Sequence, residues 1–183
     1  MIVVLTTPRS GSTFICNHIA NEYGYNYLGE AFNFNYKKSN SDLLSMIDYY
    51  QNQNNILLKI FPNNINALVL NGCVKKAEKV YIHSRKDFNA QCKSFYISIT
   101  TDTWHASTLD QRYIKYDADV YERYQQYLMR SYIEIKRIMT QLKNVEISYL
   151  EDFYKTEHKY QQPVVWDTEP PLVDFDIEKL FND

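Results

Sequence analysis

The chain opens on four consecutive apolar residues, Ile2-Val3-Val4-Leu5, and breaks abruptly at Pro8-Arg9-Ser10-Gly11-Ser12. A short, mostly β-branched run without polar alternation marks a strand buried on both faces, as in a parallel sheet. A helix predicted from about Thr13 to Tyr23 follows, with Phe14, Ile15, Ile19 and Ala20 on its apolar side. A buried parallel strand needs covering helices on its faces, so this opening already points to a layered α/β fold.

The rest of the chain continues the alternation. Tyr25 to Leu28, Ile56 to Phe61, Lys79 to His83 and Val145 to Tyr149 read as further strands. Helices are predicted from Ser41-Asp42 onward, over Ile65 to Leu70 with a stop at Asn71-Gly72, and from Asp87 to Ser98. The strongest helical period runs from Val120 to Leu142, about 35 Å of helix. Thr100 to Tyr116 has no clean period and reads as a long ordered loop. Residues 155–183 read as an irregular C-terminal segment ending in a helical turn at Ile177 to Phe181. The expectation is a single domain over residues 1–183: a three-layer α/β sandwich with a mainly parallel central sheet. In such a fold the strand-to-helix loops share one edge, where ligands bind.

Charge and cysteine usage exclude several classes. With 20 Lys and Arg against 22 Asp and Glu, the net charge of −2 argues against a generally basic nucleic-acid coat, so no nucleic-acid partner is expected. Cys16, Cys73 and Cys92 form no CxxC pair, which argues against a zinc site or disulfide framework and for a reducing, cytoplasmic setting. The N-terminal apolar run is too short for a signal peptide or membrane span, and no transmembrane segment is expected.

The first strand-to-helix loop, Thr6-Thr7-Pro8-Arg9-Ser10-Gly11-Ser12-Thr13-Phe14, has the makings of an anion cradle. A helix N-terminus carries unpaired N–H groups and about half a positive charge. Gly11 permits close backbone approach, Ser10, Ser12 and Thr13 add hydroxyls, and Arg9 adds a planar guanidinium fork. The stretch lacks GxxxxGK[ST] and so is not a Walker A loop. An ordinary loop with a helix cap is the plain alternative.

A second constellation ends the Lys79–His83 strand. Arg85 stands at the strand's carboxyl edge, where it can pair bidentately with a phosphate, and Ser94 follows on the next helix. Nine residues of helix separate them by about 13 Å. One ligand touches both only if the helix runs back across the strand end.

PRSGST after an N-terminal strand resembles the 5′-phosphosulfate loop of sulfotransferases, which use 3′-phosphoadenosine 5′-phosphosulfate (PAPS) and share a P-loop NTPase-like fold. The pattern R-x-D-x-x-x-Q-x-x-S from Arg85 to Ser94 resembles the bacterial trehalose and glycolipid branch of that family, as does the downstream Trp104. The resemblance implies a transferase moving a sulfuryl group from PAPS to an acceptor hydroxyl, on a carbohydrate, a glycolipid or another small molecule, with adenosine 3′,5′-bisphosphate as product and no metal. It implies that Arg9 to Thr13 hold the 5′-phosphosulfate and that Arg85 and Ser94 hold the 3′-phosphate. Arg9 would also act on the transferred group.

Gly29-Glu30-Ala31-Phe32 resembles the Gly-Glu…Phe segment in which a Glu is the proposed base of that branch. Glu30 is thus either that base or a solvated loop acid. Lys59, inside the Ile56–Phe61 strand, matches a family lysine that reaches the sulfuryl group; its plain alternative is a lysine snorkelling at a sheet edge. No His follows Lys59, unlike the mammalian cytosolic branch, and His83 is expected to pack or pair within its strand. Tyr149, in a segment resembling the family's late strand and turn, stands either near the nucleotide or in the core.

The chain lacks the C-terminal Arg-Lys-Gly loop that mammalian members of the family use on the 3′-phosphate; His158 and Lys159 are the candidate replacements, and Trp104 and His105 the candidate acceptor-pocket residues. Two other readings remain: an ATP-using phosphotransferase of the neighbouring P-loop kinase class, and a non-catalytic nucleotide-binding relative with tyrosines such as Tyr121, Tyr124, Tyr127 and Tyr132 on a partner face.

Overall fold

A computed structural model describes residues 1–32, 39–65, 67–102, 104, 112–153 and 164–183. His105, His158 and Lys159 lie outside the described residues. The central sheet is built from β1 (Ile2–Thr6), β2 (Asn26–Tyr27), β3 (Ile56–Ile60), β4 (Lys79–Ser84) and a later strand, Val145–Tyr149. Its order is β2-β3-β1-β4 and then Val145–Tyr149, with every pairing parallel.

β1 therefore lies in the middle. The connection leaving β1 runs toward one edge of the sheet, and all later connections run toward the other. Right-handed crossovers in opposite directions need opposite faces. The packing agrees: α1 (Ser12–Tyr23) covers one face, burying Ile15, Cys16 and Ile19 against Ile2, Val4, Leu57 and Tyr81. The opposite face carries α2 (Asn40–Gln51), α3 (Ala67–Lys76), α4 (Phe88–Thr100) and α5 (Ala118–Met139) over Val3, Leu5, Leu58, Ile60, Val80 and Ile82. The strict alternation along β1, Ile2 and Val4 against Val3 and Leu5, explains why the sequence shows an unbroken apolar run.

Side-chain caps start most of the helices. Ser39 and Asp42 form a capping box on α2. Asp87 accepts the Ala90 N–H at the start of α4, and Asp117 accepts the Val120 N–H at the start of α5.

Three expectations need correction. The stop at Asn71-Gly72 does not occur: α3 continues to Lys76, and Gly72 lies in its interior. A Cβ there would meet Ile47 Cδ1 at 3.1 Å and Leu44 Cδ2 at 3.4 Å, so the glycine admits α2 against α3. The stretch 100–116 is not a loop throughout, since Arg112–Ile114 forms β5. The C-terminal segment is not irregular throughout either. Numbering Val145–Tyr149 as β6, it contributes β7 (Val164–Trp166), parallel to β5 in a separate two-stranded sheet. After α6 (Leu150–Phe153), it ends in α7 (Ile177–Asn182), which buries Ile177 and Phe181.

The tyrosines of α5 are mostly interior. Tyr121 and Tyr132 are buried, and Tyr124 and Tyr127 pack half-buried against the core. Cys16, Cys73 and Cys92 are free, buried thiols, each pushed up to about 12 by burial. No helix among the described residues is long and apolar enough to cross a membrane.

Candidate functional site

The connections diverge to opposite faces at β1, so its carboxyl end is the topological switch point where open α/β sheets leave a crevice. The loop that fills this position is tightly wound. Arg9 has φ 61° and Gly11 φ 82°, both in the left-handed region. Gly11 precedes α1 and offers its first amides no side-chain cap, while its own carbonyl accepts the Phe14 N–H at 3.0 Å. The first turn of α1 thus keeps N–H groups without intrahelical partners and the positive end of the helix dipole.

Arg9, Arg85 and Ser94, far apart in sequence, converge here. Arg9 Nε donates to Ser94 Oγ at 2.9 Å, and Arg9 Nη1 donates to the Trp104 carbonyl. α4 lies against the loop after β1, which Gln91 and Ser94 both touch. Burial, and then the nearby Arg85 guanidinium, hold Arg9 below the usual arginine range. Arg85 Nε lies 3.9 Å from Glu151 Oε1, beyond hydrogen-bond reach. The Glu151 carboxylate is instead engaged by the backbone N–H groups of Lys86 and Asp87 at 3.0 and 3.3 Å. Among the described residues, no carboxylate pairs with Arg9. Two guanidiniums brought near each other, with Glu151 close to Arg85 alone, leave net positive charge that favours an anion.

Lys59 and Glu30 meet on the same edge. Lys59 points to the α1 face of β3, as Leu57 does two residues earlier, so its stem is buried and its ammonium emerges at the helix start. It donates to Thr13 Oγ1 at 3.1 Å and lies 2.7 Å from Glu30 Oε1. β3 is an inner strand, so Lys59 is not a lysine snorkelling at a sheet edge.

The pair is asymmetric, because the Lys59 side chain is 6% exposed and that of Glu30 26%. Removing the acid strands a buried ammonium, whereas removing the lysine leaves a carboxylate that water reaches. Glu30→Gln should therefore cost about 2 kcal/mol, and Lys59→Met less than about 1 kcal/mol. Urea denaturation of the two variants tests this; a larger loss for Lys59→Met would show that the ion pair is not the stabilising feature.

The hydroxyls of the loop divide by role. Ser10 is fully buried, and its hydroxyl and that of Thr6 lie 2.7 Å apart, with Thr6 donating onward to the His83 carbonyl at 2.8 Å. Ser10 thus supports the loop from beneath. Ser12 is buried and Thr13 exposed. His83 lies within its strand as expected. Its Nε2 is 3.1 Å from the Ser10 carbonyl, which can only accept, so Nε2 carries the proton and Nδ1 accepts from Ser148 Oγ at 3.0 Å. Tyr149 ends β6 with its ring beneath Lys86 Nζ at 5.0 Å, and its hydroxyl is buried without a hydrogen-bond partner among the described residues.

An aromatic cluster beside the α1 N-terminus did not emerge from the sequence. Phe14, His18 and Phe153 pack together, with Phe14 to Phe153 ring centroids 6.4 Å apart. Phe14 and Phe153 remain 41% and 37% exposed, an apolar patch at the start of α1 with its two rings edge to face. Phe14 was visible only as a helix-face residue, and nothing in the sequence placed Phe153 beside it.

Fold and site together define an α/β protein with a cationic cluster at the switch point of a parallel sheet. No protein-family model matches the chain, and no curated protein matches it.

Proposed function

We propose that this chain is a PAPS-dependent sulfotransferase with a P-loop NTPase-like fold, acting on an acceptor hydroxyl of a carbohydrate, a glycolipid or another small molecule. The observation that carries the reading is the convergence of Arg9, Arg85 and Ser94, drawn from two separate sequence motifs, at the carboxyl end of β1.

PAPS supplies an activated sulfuryl group. The residues of the chain divide the remaining work. The α1 N-terminus and Arg9 hold the charged groups at the 5′ end, and Arg85 with Ser94 holds the 3′-phosphate. Lys59 adds positive charge where it develops on the transferred group. Glu30 would take the proton from the acceptor hydroxyl as its oxygen bonds to sulfur and the bond from sulfur to the 5′-phosphate oxygen breaks, releasing adenosine 3′,5′-bisphosphate. The exposed faces of Phe14 and Phe153 suit a nucleobase, since aromatic surfaces stack on any base.

The test is thermal stabilisation by adenosine 3′,5′-bisphosphate, with 5′-AMP and ATP as controls. At about 100 times Kd a ligand adds about 2.7 kcal/mol, which should raise Tm by about 5 to 10 °C for a chain of this size. Arg85→Ala should weaken the bisphosphate by about 10- to 100-fold and change 5′-AMP binding less than about twofold. Equal losses for both nucleotides would contradict the role of Arg85. A shift with ATP alone would move the protein to the kinase class.

A further inference from the structure

One residue of the R-x-D-x-x-x-Q-x-x-S pattern has no part in the ligand contacts above. Gln91 is completely buried, one helical turn before Ser94 on the same side of α4. Its Nε2 donates to Thr7 Oγ1 at 2.7 Å and to the Pro8 carbonyl at 2.6 Å. Its Oε1 accepts from the Tyr132 hydroxyl at 2.6 Å. Tyr132 stands on α5, itself fully buried and packed against Phe88, Phe175 and Phe181.

The chemistry of these partners fixes the amide. The Pro8 carbonyl can only accept, so the NH₂ group must face the loop. Tyr132 then donates to the opposite oxygen and prevents the amide from turning over. The Pro8 carbonyl belongs to the peptide that leads directly into Arg9, and Arg9 holds φ 61°, where few non-glycine residues settle. Locking that carbonyl fixes the peptide plane from which Arg9 departs. Ser94, one turn further on, holds the other end of Arg9 through its guanidinium. α4 thus grips Arg9 twice, once through the backbone before it and once at its tip.

We infer that Gln91 is a positioning residue, which, held by Tyr132, keeps Arg9 in the pose that presents its guanidinium to an anion. The purpose of the pose rests on the transferase reading above; the pose itself does not. An aliphatic residue would satisfy α4 packing, and an exposed polar residue would satisfy helix propensity. Neither explains a buried amide with its donors and its acceptor all engaged across three elements.

The experiment uses the full chain with Gln91→Glu and, as a gentler second variant, Tyr132→Phe. Gln91→Glu preserves shape and the acceptor for Tyr132 but sets an oxygen against the Pro8 carbonyl. The first readout is the Arg9 Nε–H resonance in ¹H–¹⁵N spectra, assigned by its disappearance in Arg9→Lys. The second is the Kd for adenosine 3′,5′-bisphosphate by calorimetry. The wild-type resonance should be protected from solvent exchange by Ser94, and Gln91→Glu should shift it and remove that protection. Bisphosphate Kd should rise by at least about 10-fold in Gln91→Glu and by about threefold in Tyr132→Phe, which loses one of three hydrogen bonds. If Gln91→Glu does not fold, Tyr132→Phe decides by the same two readouts.

An unchanged Arg9 resonance in folded variants overturns the inference. A changed resonance with unchanged affinity overturns the link between pose and binding. If the wild-type chain binds no bisphosphate, the transferase reading fails, and the Arg9 resonance alone decides whether Gln91 positions Arg9.

Discussion

Gly11→Ala should destabilise the protein by about 3 kcal/mol, lowering Tm by about 6 to 12 °C. Two independent penalties combine at this position. The backbone sits at φ 82°, which costs an L-residue about 1 kcal/mol. The new Cβ would also lie 2.3 Å from Leu150 Cδ1 and 2.9 Å from Leu150 Cδ2, far inside van der Waals contact. Leu150 begins α6 directly after β6 and is half-buried, so relief of the clash requires its side chain to shift. The two penalties separate in a double-mutant cycle. Leu150→Ala in the Gly11→Ala background should recover more than about 1 kcal/mol of the clash and none of the backbone cost. Additive losses would show that Leu150 does not press on the loop. A Gly11→Ala protein within about 1 kcal/mol of wild type would show that the loop is not held in its left-handed conformation. Because the same glycine opens the first turn of α1, the variant should also lose bisphosphate-dependent stabilisation under the proposed function.

Gly11 also shows what a sequence can and cannot disclose. Its need for positive φ or close approach was legible from its place between a buried strand and a helix. The identity of the group pressing on it was not, because Leu150 is remote in sequence and carries no local mark of the contact. The parallel sheet followed from unbroken apolar runs such as Ile2–Leu5, and Arg9, Arg85 and Ser94 followed from motifs whose spacing is local. Lys59 was conspicuous because a charge inside an apolar strand demands a partner. β5 and β7 escaped notice because each is three residues long and exists through its pairing with the other. Gly72 misled because glycine within a helix looks like a stop until the neighbouring helix, with Ile47 and Leu44, is known. Gln91 escaped because glutamine in a helix is unremarkable; only the loop beneath it and Tyr132 beside it reveal the bonds it makes. What was missed in each case depended on contacts between segments remote in sequence.

Acid should weaken the fold through His83 well before the carboxylates titrate. His83 is fully buried, and burial is the main reason its imidazole is pushed down to about 4. The Ser10 carbonyl and the Asp152 carboxylate oppose that shift without cancelling it. An unfolded chain would protonate the same ring near pH 6.5. Between those two values the unfolded state takes a proton that the folded state refuses, so stability rises with pH across the window. The contribution is complete above about pH 6.5, falls as the pH drops, and levels off below about 4 after a loss of about 3 kcal/mol. About 2 kcal/mol of it should be lost between pH 6.5 and 5, where ordinary carboxylates remain ionised. Urea denaturation at closely spaced pH values measures this directly. His83→Gln keeps a donor for the Ser10 carbonyl and has nothing to titrate. It should be less stable than wild type at pH 7 and lose the slope between pH 6.5 and 5. A slope unchanged by His83→Gln would mean that another group carries it. In the folded chain His83 Nε2–H holds the Ser10 carbonyl and Nδ1 accepts from Ser148, so protonation disturbs the Ser148 side of the ring, and only near pH 4. Because the folded chain keeps His83 neutral between pH 6.5 and 5, bisphosphate affinity in wild type should not fall through His83 over that range, although stability does.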